Sequence, residues 1–233
     1  AALVMALLGL FLAPVLWRIS RRQALRETLF AYEPPLTDWL PLWGFGKAPL
    51  DAETGEPRSK YQAVFEIGTA LFFGALGYKL GFSLDLVMVT CFSIPLLVIM
   101  LVDFWTRLIH TNVILAGIVL GWIFAAADGM DQLLRSVLGM AIGAGAFLFF
   151  YVLAIVIYRN PKVVPFGLGD VYLAAMIGAM VRADQVGRAL LYGIFLAAII
   201  LGALLLAKVL SRRQAVAYGP YLCLGALITL FFM

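Results

Sequence analysis

The sequence predicts an all-α protein, a polytopic membrane helix bundle with about eight transmembrane segments. Of its 233 residues, 64% are hydrophobic and 13% are charged, and the mean hydropathy is +1.02. A soluble domain has about 45–50% apolar residues and about a quarter charged residues. The surplus of apolar residues must therefore face a lipid bilayer, and the same surplus excludes an intrinsically disordered chain.

Eight apolar runs define the predicted segments. A helix needs about 20 apolar residues to cross the hydrocarbon core, and most of the runs approach that length. The run at 170–182 is shorter, so we expect a broken or partly submerged helix there, packed inside the protein. The runs are 1–17, 62–82, 84–106, 111–128, 133–157, 170–182, 188–208 and 217–233.

Three regions follow from these runs. Residues 1–17 are predicted to be the first transmembrane helix rather than a signal peptide, because arginines follow the run and no basic residue precedes it. Residues 18–60 are rich in proline and charge and are predicted to be a cytoplasmic loop. Residues 61–233 are predicted to form the main membrane bundle.

The basic residues predict the orientation of the chain. With the N-terminus outside and eight alternating segments, the inner side receives all of the 17 basic residues except Lys79, Arg135, Arg182 and Arg188. Lys and Arg accumulate in cytoplasmic loops. The net charge of +4 therefore indicates membrane topology, and we expect no nucleic-acid partner.

Small residues recur at helical spacing in two of the runs. Gly139 and Gly143 are followed by Ala146, and Ala70 precedes Gly74. Such spacing lets helices approach closely, and ordinary bundle packing is its expected use.

Few residues could bind a transition metal. The chain has two cysteines, Cys91 and Cys223, in separate apolar runs, and one histidine, His110. No CxxC pair is present. We therefore expect no structural zinc site made of Cys and His.

Three acidic residues, Glu66, Asp103 and Asp170, lie at or within apolar runs. An acid in this setting is costly unless it is paired or faces a wet cavity, so each is a functional candidate. Other acids fall in short outer turns and are expected to be solvated caps: Asp85, Asp128, Asp131 and Asp184.

Each candidate acid also has a purely structural explanation. Asp103 can pair with Arg107 four residues later, and Asp170 can cap the helix that follows it. Gly167 and Gly169 favour a functional role for Asp170, because they let the backbone fold closely around the carboxylate. Glu66 is either a polar contact within the bundle or an interfacial acid at the start of a helix.

The predicted topology places Asp103 and Asp170 at the same, cytoplasmic, membrane surface. Two aspartates that share a proton perform the chemistry of an aspartic protease without a cofactor: one activates water, and the other donates a proton to the carbonyl oxygen. Nucleophilic alternatives are poor, because the chain has one histidine and no GxSxG segment.

Several segments resemble a known family. GLGD at 167–170 and DFWTRLIH at 103–110 are similar to the two aspartate motifs of GxGD membrane peptidases, more narrowly of the type IV prepilin peptidases. SKYQAVFEIGTALFF at 59–73 and AYGPYLCLGAL at 217–227 resemble two further segments of that family. His110 replaces the family's proline, and Tyr172 replaces its usual lysine.

The resemblance implies an aspartic endopeptidase of the bacterial inner membrane with Asp103 and Asp170 as its catalytic residues. Gly167 and Gly169 would support the catalytic loop, and Glu66 would be a polar contact. Such an enzyme removes the basic leader of a prepilin or pseudopilin, after a glycine, at the cytoplasmic membrane face. The resemblance leaves the pilin substrate and the oligomeric state open.

Two further implications concern cofactors. Many relatives also methylate the new N-terminus with S-adenosylmethionine, and they carry two zinc-binding CxxC pairs in the loop corresponding to 18–60. That loop has no cysteine here. We therefore expect no metal and no cofactor for peptidase activity, while S-adenosylmethionine is needed only if methylation is retained.

Two alternative functions remain open. Acids near membrane segments also mark ion paths, so the chain can be read as an ion-conducting protein, although no inverted repeat is visible. The departures at His110 and Tyr172 fit a catalytically inactive assembly factor for a pilus or secretion machine.

Overall fold

The computed structural model describes residues 1–24, 60–158, 167–208 and 217–233. These residues form helices without any strand among them, which confirms the all-α prediction. The helices are α1 (Ala2–Ala24), α2 (Lys60–Leu80), α3 (Leu84–Thr106), α4 (Thr111–Ala127), α5 (Met130–Tyr158), α6 (Leu168–Leu206) and α7 (Gly219–Phe232). Their bounds follow the apolar runs closely, except that α1 continues past residue 17 and α6 joins two of the runs.

Four of the described helices contain a stretch long and apolar enough to cross a membrane. The predicted count of about eight transmembrane segments is therefore not confirmed. Most of the predicted loop 18–60 lies outside the described residues. The four stretches are Ala2–Ser20, Leu84–Phe104, Met130–Ile157 and Leu168–Leu206.

The chain divides into two compact units, Ala1–Thr90 and Cys91–Met233. In the first unit, α1 packs against α2. A Cβ atom at Gly74 would lie 3.1 Å from the Cβ atom of Ala6, and one at Gly77 would lie 2.8 Å from that of Met5. The expected close approach at Gly74 is thus confirmed, and it brings the backbones of α1 and α2 together.

The first half of α6 forms the core of the second unit. Val171 and every residue from 173 to 181 are buried, and α4, α5 and α7 pack around the helix. Gly139 and Gly143 of α5 face the backbone of α6 so closely that a Cβ atom at either position would overlap the carbonyl oxygen of Gly178 or Ala174. The expected close packing at these two glycines is confirmed.

A break divides α6 at Arg182, whose φ of 65° and ψ of 171° are not helical. This conformation is strained for a residue with a side chain. The Arg182 guanidinium donates to Gln132 Oε1 at 2.9 Å and pairs with Asp128, so contacts with the start of α5 and the end of α4 hold the break. The internal packing expected for 170–182 is confirmed. The segment is not a separate span, however, because the helix continues past the break at Arg182 and one candidate span covers Leu168–Leu206.

Three acids that were expected to be solvated caps form ion pairs near the break in α6. Arg135 pairs with Asp131 at 3.0 Å and with Asp184 at 3.1 Å, while Asp128 pairs with Arg182. These carboxylates remain exposed to solvent, so each surface pair contributes little by itself. Together they join the start of α5 to α6 on either side of the break.

The packing of α5 against α6 leads to a stability prediction. Gly143→Val should destabilise the protein by roughly 1–3 kcal/mol, because overpacking forces backbone shifts and the added Cβ atom would overlap the Ala174 carbonyl. Gly145→Val on the same helix is the matched control, since a Cβ atom there meets nothing within 4 Å. Thermal unfolding in one detergent measures both variants, and equal midpoints would contradict the packing.

Candidate active site

Asp103 lies at the C-terminal end of α3, one turn before the helix ends. Its side chain is 4% exposed. The backbone N–H of Gly219, at the start of α7, donates a hydrogen bond of 3.0 Å to its Oδ2 atom. A buried carboxylate requires such a partner, and here the partner comes from a residue 116 positions away.

Arg107 does not explain the burial of Asp103 as a simple ion pair. The Arg107 side chain is exposed, whereas Asp103 is buried and accepts its hydrogen bond from Gly219. The structure thus favours a cross-helix role for Asp103 over local pairing within α3.

Asp170 is the third residue of α6. Gly167 is the N-cap, and its backbone N–H donates a 3.2 Å hydrogen bond to Asp170 Oδ2. The Asp170 N–H donates in turn to the Gly167 carbonyl at 3.1 Å. Asp170 therefore closes the first turn of α6 as an N3 carboxylate, a position that the helix dipole favours, and its side chain remains partly exposed.

The loop between α3 and α4 lies against the start of α6. A Cβ atom at Gly169 would lie 3.3 Å from the Cβ atom of Ile109, so the missing side chain allows this contact. Since Ile109 follows the helix that carries Asp103, the contact draws the two aspartates together. The charge of Asp103 acts directly on the Asp170 carboxyl group.

The two candidate loop glycines have different local roles. Gly169 is needed for space against Ile109. A Cβ atom at Gly167 would be in ordinary contact, 3.7 Å from Asp170 Oδ2, and its φ of −94° suits any residue. Gly167 instead contributes its backbone N–H, which donates to Asp170. The sequence alone does not distinguish a glycine needed for space from one that serves as a donor.

Glu66 lies in the other unit of the chain. It is fully buried in α2, where its Oε1 atom accepts a 2.8 Å hydrogen bond from Gln62 Nε2. This is a polar contact within the helix. The structure thus places Glu66 in a different local environment from the two aspartates.

Two departures from the family motifs flank the aspartates. His110 is the N-cap of α4, and its Nδ1 atom is buried without a hydrogen-bond partner in the described part of the chain. Tyr172 lies two positions after Asp170 with a side chain that is about half exposed. Tyr172 therefore sits on an open face of α6.

Three residues near the aspartates were not singled out in the sequence. Gly219 binds Asp103, and Ile109 contacts Gly169. Tyr218, the N-cap of α7, lies near enough to Asp170 for the carboxylate charge to act on its hydroxyl. Pro220 in the segment Tyr218-Gly219-Pro220 is typical of a helix start. Nothing in the sequence indicates that Gly219 binds Asp103.

The donor set does not fit a resident metal ion. Within the described ranges, no group of three or more His, Cys, Asp or Glu side chains is placed to hold one. The predicted loop 18–60 contributes no cysteine, and most of it lies outside the described residues.

Two neighbouring carboxyl groups have a defined chemical use. Two interacting like charges disfavour double ionisation, so the pair is suited to hold one proton between its members. The ionised member can accept a proton, and the protonated member can donate one. Asp103 is buried, whereas Asp170 is partly exposed. A reactant can therefore approach the pair from the side of Asp170.

Comparisons with known proteins identify the family of the chain. The sequence pattern of the type IV leader peptidase family matches residues 90–207, a range that contains both aspartates but neither Glu66 nor Gly219. A prepilin leader peptidase/N-methyltransferase from Bacillus subtilis (strain 168) is 27% identical over 165 residues. That alignment covers 70% of this chain and 62% of the relative. No solved structure matches the chain significantly.

Proposed function

This chain belongs to the type IV leader peptidase family, and from that premise we propose that it is a membrane aspartic endopeptidase acting on prepilin-like proteins. The observation that carries the proposal is the approach of Asp103 and Asp170 within the matched range. The start of α6 and the end of α3 bring these side chains together, and their charges interact. The sequence resemblance likewise supports Asp103 and Asp170 as the two aspartates of the family motifs.

The proposed reaction is hydrolysis by a carboxylate dyad. The ionised aspartate accepts a proton from water, and the resulting hydroxide adds to the scissile carbonyl carbon. The protonated aspartate donates its proton to the carbonyl oxygen. Collapse of the tetrahedral intermediate breaks the C–N bond. The aspartate that took the proton from water donates it to the leaving nitrogen, and the other aspartate takes a hydroxyl proton from the intermediate, so the dyad again holds one proton.

The proposed substrate is a prepilin or pseudopilin with a basic leader, cut after a glycine before its apolar helix. The relative's name supports this class of substrate, since it is a prepilin leader peptidase. The distribution of basic residues supports an active site facing the cytoplasm, in the inner membrane of a bacterium.

The proposal is limited to peptidase activity. The residues described here need no metal for that chemistry, because two carboxyl groups and water supply every proton that moves. The name of the relative also includes an N-methyltransferase activity. Within the described ranges, no residue identifies a site for S-adenosylmethionine.

The catalytic assignment predicts the effect of removing either carboxylate. Asp103→Asn and Asp170→Asn should each lower cleavage of a model prepilin by at least about 1000-fold, because one partner alone cannot both accept and donate a proton. Asp85→Asn is the matched control, an exposed acid at the opposite end of α3. Purified full-length chain in lipid, with the product mapped by mass spectrometry, provides the measurement.

The alternatives predict different results in the same assay. Turnover that survives in either Asn variant would remove that residue from the dyad. A folded wild-type protein that cleaves no prepilin would favour the assembly-factor alternative. Ion flux across the same liposomes, lost in both variants, would favour the ion-conducting alternative.

The contact between Gly169 and Ile109 predicts a second effect on cleavage. Gly169→Val should reduce kcat by about tenfold to 100-fold, because displacement of Ile109 by the new side chain shifts Asp170 relative to Asp103. Gly187→Val on α6 is the control, since a Cβ atom there meets nothing within 4 Å. Equal rates for Gly169→Val and the wild type would show that the close contact is dispensable.

A further inference from the structure

We propose that the backbone N–H of Gly219 positions the Asp103 carboxylate for catalysis, a role that rests on the proposed peptidase function. Gly219 lies outside the range matched by the family pattern. It acts through Asp103 rather than on the substrate, and is therefore a positioning residue.

At the start of α7, the backbone N–H of Gly219 has no partner within its own helix and is available to Asp103. The N–H groups of Tyr221 and Leu222 donate to the Tyr218 carbonyl at 3.2 and 3.4 Å. Pro220 has no N–H group. The Gly219 N–H is thus the free amide of this helix start, and it donates to Asp103 Oδ2 at 3.0 Å.

The position also requires the absence of a side chain. A Cβ atom on Gly219 would lie 2.6 Å from Asp103 Oδ2 and 3.1 Å from its Cγ atom. Any other residue must therefore push the carboxylate away. The restriction is one of space rather than of backbone conformation, because Gly219 does not have a positive φ.

The buried setting makes this single contact important. Asp103 is 4% exposed, and Gly219 is buried as well, so water has little access to replace a lost hydrogen bond. Asp170 has a comparable N–H partner in Gly167, but that partner belongs to its own helix turn. Asp103 instead depends on a separate helix for its orientation.

The kinetic test is Gly219→Ala in the full chain. We expect kcat to fall by about 100-fold, the effect of a displacement near 1 Å at a reacting group, while KM stays within about twofold. Gly202→Ala is the control, because a Cβ atom at Gly202 meets nothing within 4 Å. Wild-type kcat in Gly219→Ala would overturn the proposal, whereas an inactive wild type would overturn the peptidase function on which it rests.

A spectroscopic test uses no cleavage and does not require the Gly219 variant to fold. Labelling with ¹³C′-tyrosine and ¹⁵N-glycine selects two amides, since Tyr-Gly occurs at 192–193 and 218–219. The Gly219 amide proton signal should move upfield in Asp103→Asn, because the neutral Asn side chain accepts a weaker hydrogen bond than a carboxyl group that shares one proton and its negative charge with Asp170. The Gly193 signal serves as the internal reference.

The matched control for this measurement is Asp85→Asn, which should leave the Gly219 signal in place. An unchanged Gly219 signal in Asp103→Asn would overturn the contact and the proposal with it. A shifted signal together with the loss of kcat in Gly219→Ala would establish the positioning role.

Discussion

The close approach of helix backbones around the first half of α6 is the constraint on which the second unit depends. Buried residues fill this half almost completely, and glycines on α5 let the two backbones touch. Transmembrane helices gain little from hydrophobic contact with each other, because lipid tails are equally apolar, so packing of small residues holds them together. The position of Asp170 follows from this packing, since it lies in the first turn of the same helix.

The candidate site is assembled from helix ends that this core fixes in place. Asp103 ends α3, Asp170 begins α6, and Gly219 begins α7. Each aspartate accepts a hydrogen bond from the backbone N–H of a glycine at a helix start, and Gly169 leaves space for Ile109. Backbone donors orient a carboxylate without adding a second titrating side chain.

Much of this arrangement could be predicted from the sequence. The apolar runs predicted most helix bounds within a few residues, apart from the end of α1 and the continuation of α6, and alternation of the spans predicted that Asp103 and Asp170 lie at one membrane surface. The shortness of the run at 170–182 indicated the break that the structure has at Arg182. These features depend on local composition and on simple alternation, so one sequence is enough to infer them.

Other features depend on partners far apart in the chain. The sequence could not show that α6 continues past Arg182, because the polar residues that follow look like a turn, whereas ion pairs to α4 and α5 hold the helix together there. It could not show that Gly219 meets Asp103, since 116 residues separate them. Gly167 and Gly169 look equivalent in the sequence. Only their neighbours in the structure show that Gly167 donates its N–H to Asp170, whereas Gly169 leaves space for Ile109.

The most direct test of this account is the proximity of residues 103 and 170 in the membrane. In a chain carrying Cys91→Ser and Cys223→Ala, the pair Asp103→Cys and Asp170→Cys should be joined by a short bifunctional thiol reagent, as read by mass spectrometry. The pair Asp103→Cys and Asp131→Cys, which places the second thiol at the start of α5, should not be joined. Failure to bridge 103 and 170, although both thiols react with a monofunctional reagent, would contradict the account.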